Sequence, residues 1–242
     1  MAVNSLESLR LKVRSLLHFS TPADALFVYY AFYHDPRRTQ LYVHENEDAK
    51  GRVDGFVAVC QTGQRLFVPT VVLRTPSAEA AIELLRQALV PGRPYYLITT
   101  PDLRDAVTEV LDIERPEVNH VYRLELFHLQ SSINVLVVAE QGPGGLPRFI
   151  IRSQGEVVAE SGTSWYSPHF CELFVRVAPS AQGRGWGQAV LAASTTWAVR
   201  SGRQPLYVVN ETNEPSVALA KAVGYVDTGV REFAGEGVCR PR

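Results

Sequence analysis

Three glycines fall within five positions of the stretch Gln182-Gly183-Arg184-Gly185-Trp186-Gly187-Gln188, which constrains the fold more than any other part of the 242 residues. A strand-like run at 170–177 leads into it and a helix-forming run at 186–200 leads out. Glycine permits φ > 0 and lets a ligand come close to the backbone. A helix that begins at the loop aims unpaired N–H groups and the positive end of its dipole at whatever the loop holds, which favours an anion. A pyrophosphate meets those requirements, and Arg184 adds a charge-assisted contact. A Walker A loop is excluded, because Gly187 is followed by Gln188-Ala189 instead of Lys and Ser/Thr. A dinucleotide fingerprint fails at Gln188, where glycine or alanine is required, and no carboxylate stands about 20 residues on to hold a ribose.

Periodicity around the loop alternates between strands and helices. In the first half it predicts an amphipathic helix at 4–18 and an aromatic-rich helix from Thr21-Pro22 to His34. Strands at 40–44, 55–61 and 66–74 follow, then a helix at 77–89, a strand at 95–99, a helix at 102–111 and a strand at 120–127. In the second half it predicts strands at 134–139, 148–152, 156–161 and 170–177. After these come the helix at 186–200, a strand at 206–210, a helix at 214–223 and a strand at 225–233. Asn213 and Pro215 supply an N-cap and a first-turn proline for the last helix, and Gly202 and Gly224 stand where C′ glycines belong. Residues 92–98 match 202–209, and 73–76 match 176–179; the spacing between the two segments is eight residues longer in the second half, the length of 181–188. The expectation is an α+β fold with a mixed sheet in two related lobes, 1–130 and 131–242, of which only the second carries the ligand loop.

With Val177-Ala178-Pro179 before it, Gln182-x-x-Gly185-x-Gly187 resembles the Q/R-x-x-G-x-G/A signature of the GNAT superfamily of N-acetyltransferases. About thirty residues on, Asn210-Glu211-Thr212-Asn213-Glu214-Pro215-Ser216 and Ala222-Val223-Gly224-Tyr225 are similar to that family's N-x-x-N-x-x-S … G-F/Y segment. The resemblance implies transfer of an acetyl or other acyl group from acetyl-CoA, the cosubstrate, to an amine that attacks directly in a ternary complex, with no metal. It implies that the strand end Val175-Arg176-Val177 splays from its neighbour and offers backbone to pantetheine. Gln182, Gly183, Arg184, Gly185, Trp186, Gly187 and Gln188 would surround the pyrophosphate, and Asn210 and Asn213 would lie near the pantetheine arm. Trp186 alternatively packs the helix on the sheet, and Asn213 alternatively serves only as a cap. The base falls to Glu172 or His169, each otherwise an exposed polar residue at a strand end. Many members carry tyrosine four residues after the Ser216 position, where this chain has Ala220. That leaves Ser216, Tyr207 and Tyr225 as candidate acids, or no acid at all. The alternative class is a non-catalytic acyl-CoA-binding sensor or interaction module with the same fold.

The 24 basic and 25 acidic side chains nearly cancel, so no global field points to nucleic acid or a membrane surface. The longest apolar run, 25–33, falls far short of the roughly 20 residues a membrane span needs. It reads as core. Cys60, Cys171 and Cys239 give neither a CxxC pair nor a disulfide framework, which fits a reducing cytosol. The histidines show no metal-ligand spacing. The expected setting is therefore cytoplasmic, and the expected partners are acetyl-CoA and an amine acceptor, with a homodimer allowed.

Overall fold

The computed structural model describes residues 5–46, 52–129 and 134–241. It separates into two units, residues 1–119 with 231–242, and residues 120–230. The lobe boundary expected between 130 and 131 falls among residues 130–133, outside the described residues, as does the first residue of the helix expected at 4–18.

The first unit opens with α1 (Leu6–Val13), capped by Ser5, whose hydroxyl accepts from Ser8 N at 3.3 Å. The aromatic-rich segment forms only a short α2 (Ala25–Val28) that runs into a π-helical turn, Tyr29–Tyr33. Phe27, Val28, Tyr30 and Ala31 are buried there, so this stretch is core. β1 (Thr39–Asn46), β2 (Arg52–Cys60) and β3 (Thr70–Arg74) form an antiparallel meander. β3 starts at Thr70 and not at Leu66, because Pro69 has no N–H to give a ladder and Phe67 sits at φ +62. α3 (Ala78–Ala88) then crosses to β4 (Pro94–Thr99), which is parallel to β3. Ser77 caps α3 by accepting from Ala80 N at 3.2 Å, and the spacing of Ala81, Leu84 and Leu85 turns one face of the helix onto Val71, Leu73 and Leu97. α4 (Arg104–Val110) and the short β5 (Leu111–Ile113) follow.

β6 (Glu117–Leu124) leads into the second unit, where β7 (Val138–Gln141), β8 (Pro147–Ser153), β9 (Glu156–Tyr166) and β10 (Phe170–Val177) are antiparallel neighbours. β7 starts later than the expected Asn134, whose Oδ1 accepts from Leu136 N at 2.9 Å in a turn. α5 (Trp186–Arg200) returns the chain to β11 (Gln204–Asn210), parallel to β10, and α6 (Glu214–Val223) leads to β12 (Tyr225–Cys239). The order is β7-β8-β9-β10-β11-β6-β12. β12 runs well past the expected end at 233; its residues 233–238 belong to the first unit and pair antiparallel with β4. Each unit thus mixes parallel and antiparallel pairing with helical crossovers, an α+β fold. Among the described residues no helix is long and apolar enough to cross a membrane.

One turn fixes how α6 meets β12. Gly224 ends α6 at φ +109, and a Cβ there would overlap the carbonyl oxygen of His128. Its own carbonyl accepts from Glu125 N at 3.0 Å. Gly224→Ala is therefore expected to destabilise the protein by about 2–4 kcal/mol, since it combines a disallowed φ with a backbone clash. Urea unfolding with an unchanged midpoint would show that the turn relaxes freely.

Candidate active site

β10 and β11 pair in parallel only from Phe170–Gln204 to Leu173–Tyr207, and the ladder stops there although both strands continue. At the same point β9 carries one extra residue, Ser164, because Glu172 faces Trp165 while Leu173 faces Thr163. A bulge bends the strands and raises their twist. β10 therefore parts from β11 beyond Leu173, and a cleft of about 560 Å³ opens there, with Val175, Val177 and Tyr207 in its lining. The freed backbone of β10 is available to a ligand in place of a neighbouring strand.

The glycine loop closes one end of this cleft. A single 3₁₀ turn, Pro179–Ala181, follows β10, and Gly183 and Gly185 then sit at φ +75 and +73. A Cβ on either would meet nothing within 4 Å, so the backbone borders open space. Gly187 has a different role: a Cβ there would come within 3.1 Å of Val177 Cγ2, so glycine lets α5 lie close against β10. The first hydrogen bond of α5 runs from Ala189 N to Gly185 O, which leaves the N–H groups of Trp186, Gly187 and Gln188 without helical partners at the cleft. With the dipole of a 15-residue helix behind them, these groups suit a pyrophosphate. Trp186 lines the cleft, with the Arg184 guanidinium 5.0 Å from its ring centroid. Gln182 lines it too, as does Gln188, whose Nε2 donates to Ala222 O at 3.3 Å and ties α5 to α6.

The opposite wall is α6. Asn213 caps the helix, its Oδ1 accepting from Ser216 N at 3.1 Å, and also borders the cleft. Pro215, Ala218, Leu219 and Ala222 follow at i, i+3, i+4 and i+7 and present an apolar stripe to it. Sequence reasoning missed this stripe, although its spacing is readable; only Leu219 in it is large and strongly apolar, and Ala220 and Val223 of the same helix supply the core. Asn210 does not line the cleft. Its Oδ1 accepts from Thr212 N at 2.9 Å and Thr212 Oγ1 at 2.7 Å, which shapes the turn before α6.

The candidate acid and base residues fall in different places. Glu172 lies on β10 at the bulge and is not part of the cleft lining; its Oε2 accepts from Trp165 Nε1 at 2.8 Å. Burial pushes its carboxyl above the usual range, opposed by hydrogen bonds from Trp165 and Ser164. Tyr207 lines the cleft from β11 and shares a 2.9 Å hydrogen bond with Ser216 Oγ. Burial pushes its phenol up, against the Ser216 hydrogen bond, so it is protonated at neutral pH. Tyr225 is buried in the core, its hydroxyl 2.8 Å from Thr195 Oγ1, and it does not line the cleft. His169 is an exposed residue at the other end of β10, about 20 Å along the strand from Val175. Arg176 points away from the cleft, Nη1 donating to Glu160 at 3.1 Å with the guanidinium 4.8 Å from the Phe174 ring centroid.

The profile described as the Acetyltransferase (GNAT) family matches residues 106–225, a span that takes in the splayed strands, the glycine loop and α6. The chain is a member of the GNAT superfamily. Solved structures, among them two described as GNAT or GCN5-related proteins, share its fold over nearly the whole length. A GCN5-related N-acetyltransferase-like protein from Streptococcus suis is 14% identical with a TM-score of 0.65, covering 96% of this chain and 99% of its own. A Drosophila protein of no stated activity is 16% identical with a TM-score of 0.67, covering 98% and 97%. A tandem GNAT protein from the clavulanic acid biosynthesis pathway is 13% identical with a TM-score of 0.56, covering 98% and 94%. Among curated proteins nothing matches.

Proposed function

We propose that this GNAT protein binds acetyl-CoA or a related acyl-CoA in the cleft of its second unit and transfers the acyl group to an amine, the first unit being a related lobe without the ligand loop. The observation that carries this reading is the end of the β10–β11 ladder at Leu173–Tyr207 beside the unpartnered N–H groups of α5. The gap offers free backbone and apolar walls to pantetheine, and the helix end offers N–H donors to a pyrophosphate. The amine nitrogen attacks the thioester carbonyl, whose developing oxyanion accepts from a backbone N–H freed on β10 between Val175 and Val177. The ammonium proton passes through water to Glu172, about 10 Å along β10 from Val175. As the C–S bond breaks, Tyr207 gives its proton to the leaving thiolate and is restored through Ser216.

Tyr207 takes the place of the tyrosine that many family members carry at position 220. Ala220 is fully buried in the same apolar cluster as Tyr207, on the face of α6 away from the cleft. The same alanine is the one observation that favours an acyl-CoA sensor. Acetyl-CoA consumption against a panel of small amines, amino acids and lysine peptides separates the two readings. Amine-dependent release of CoA is expected, slowed at least about tenfold by Tyr207→Phe with the affinity for acetyl-CoA retained. Tight acetyl-CoA binding with no turnover on any amine would favour the sensor.

A further inference from the structure

The first unit holds a second cavity, about 800 Å³ in volume, lined from the start of β1, the end of β2, the segment 63–69 and the start of β4. It is not the counterpart of the acyl-CoA cleft. The glycine loop follows the last residue of β10, whereas this cavity takes in residues just before Thr70, the first residue of β3. The cavity and the β3–α3 connection lie at opposite ends of β3.

Arg37, Arg38, Arg65 and Arg93 line the cavity, and no aspartate or glutamate does. Guanidinium groups gathered around one space repel each other unless carboxylates or a bound anion offset them. Two are partly offset from outside: Arg65 Nη1 lies 3.1 Å from Glu236 Oε2, and Arg38 Nε lies 3.8 Å from Asp35 Oδ2. Among the described residues Arg37 and Arg93 make no ion pair. Arg65 is also steadied by Tyr96, its Cζ 3.7 Å from the ring centroid. At the rim, Leu66 and Phe67 are 83% and 90% exposed, and Phe67 holds φ +62, a conformation that costs a bulky residue energy. The exposed phenyl ring of Phe67 thus stands on strained backbone at the lining of a cationic cavity, and the half-buried Tyr42 supplies a second ring.

Inorganic phosphate would satisfy the arginines but leave the rings and most of the volume unused. A broad nucleic-acid surface conflicts with the near balance of charges over the chain. We infer that this cavity binds a nucleoside di- or triphosphate, with its phosphates on Arg37, Arg93 and Arg65 and its base against Phe67 and Tyr42. The site is independent of the acyl-CoA reading.

Calorimetric titration of the full chain with ATP and with inorganic tripolyphosphate tests it. ATP is expected to bind once per chain in this cavity, both in the wild type and in Gly185→Asp, which alters only the glycine loop. The double substitution of Arg37→Ala with Arg93→Ala is expected to raise Kd for both probes at least about tenfold while leaving acetyl-CoA affinity unchanged. Phe67→Ser is expected to weaken ATP several-fold and leave tripolyphosphate alone, because only a base stacks. All three positions are exposed, and matching thermal melts confirm folding. Absence of ATP binding, ATP affinity indifferent to the arginine pair, or ATP binding lost in Gly185→Asp would each overturn the site. Tighter binding of a single-stranded oligonucleotide or an acidic peptide than of ATP would overturn the ligand class.

Discussion

Gly185→Asp is expected to raise the Kd for acetyl-CoA at least about 100-fold without unfolding the protein. Gly185 is the N-cap of α5 at φ +73, and a side chain built there meets nothing within 4 Å. Asp is among the residues that tolerate left-handed backbone best, so the fold is retained. The carboxylate would stand where the pyrophosphate is proposed to sit. Two unit charges 4 Å apart at an effective dielectric of 20 repel by about 4 kcal/mol, enough for a loss of this size. Gly185→Asn separates charge from shape: it places a neutral group of equal size on the same φ and should cost markedly less affinity. Gly187→Asp is the poorer test, because its Cβ would press on Val177 and move α5 off β10. Calorimetry should also find one acetyl-CoA per wild-type chain in the second unit. Unchanged affinity in a well-folded Gly185→Asp would show that the loop does not hold the ligand's phosphates.

Much of the second unit was legible because its signals are local. Asn213 as N-cap, Pro215 in the first turn, Gly224 as the left-handed C-terminal residue and Gly183 and Gly185 at positive φ all follow from what those residues do to their own backbone. The features that needed the structure depend on partners distant in sequence. Ser164 becomes the extra residue of a bulge only through the register of β9 on β10, which no strand propensity contains. That register also brings Trp165 to Glu172, and neither residue announces the pairing. Tyr225 reads as a candidate acid from its hydroxyl, but Thr195, a full 30 residues earlier, claims that hydroxyl inside the core. Phe67 at φ +62 was invisible for the opposite reason, since sequence rules place bulky residues at negative φ. The stripe 215, 218, 219, 222 was present in the periodicity, but with Leu219 as its one large apolar side chain the signal is too weak to distinguish a cleft wall from solvent.

Glu172→Gln is expected to lower kcat/KM at least about tenfold, within the roughly 10²–10⁴-fold that general-base assistance supplies, with acetyl-CoA affinity nearly unchanged. Burial raises the Glu172 carboxyl above its ordinary range, so it loses its proton at a higher pH than a surface glutamate does. In the wild type the rate should fall as pH drops through that raised value, and this acidic limb should be absent from the glutamine variant. The effect on stability has the opposite sign. A carboxyl whose folded pKa lies above its unfolded value contributes stability that is fully present below the unfolded pKa, falls between the two values and is lost as pH rises through the folded pKa. At higher pH the folded protein carries a buried charge that the unfolded chain would solvate. Glutamine carries no charge to desolvate and its Oε1 still accepts from Trp165 Nε1, so Glu172→Gln should melt at or above the wild-type temperature at pH 8. A variant that is slower yet no less stable distinguishes a chemical role from damage to the bulge. Trp165→Phe removes the donor and pushes the Glu172 pKa higher still, so its acidic limb should move to higher pH. Full activity with an unaltered pH profile in Glu172→Gln would remove Glu172 from the reaction and leave water as the proton acceptor.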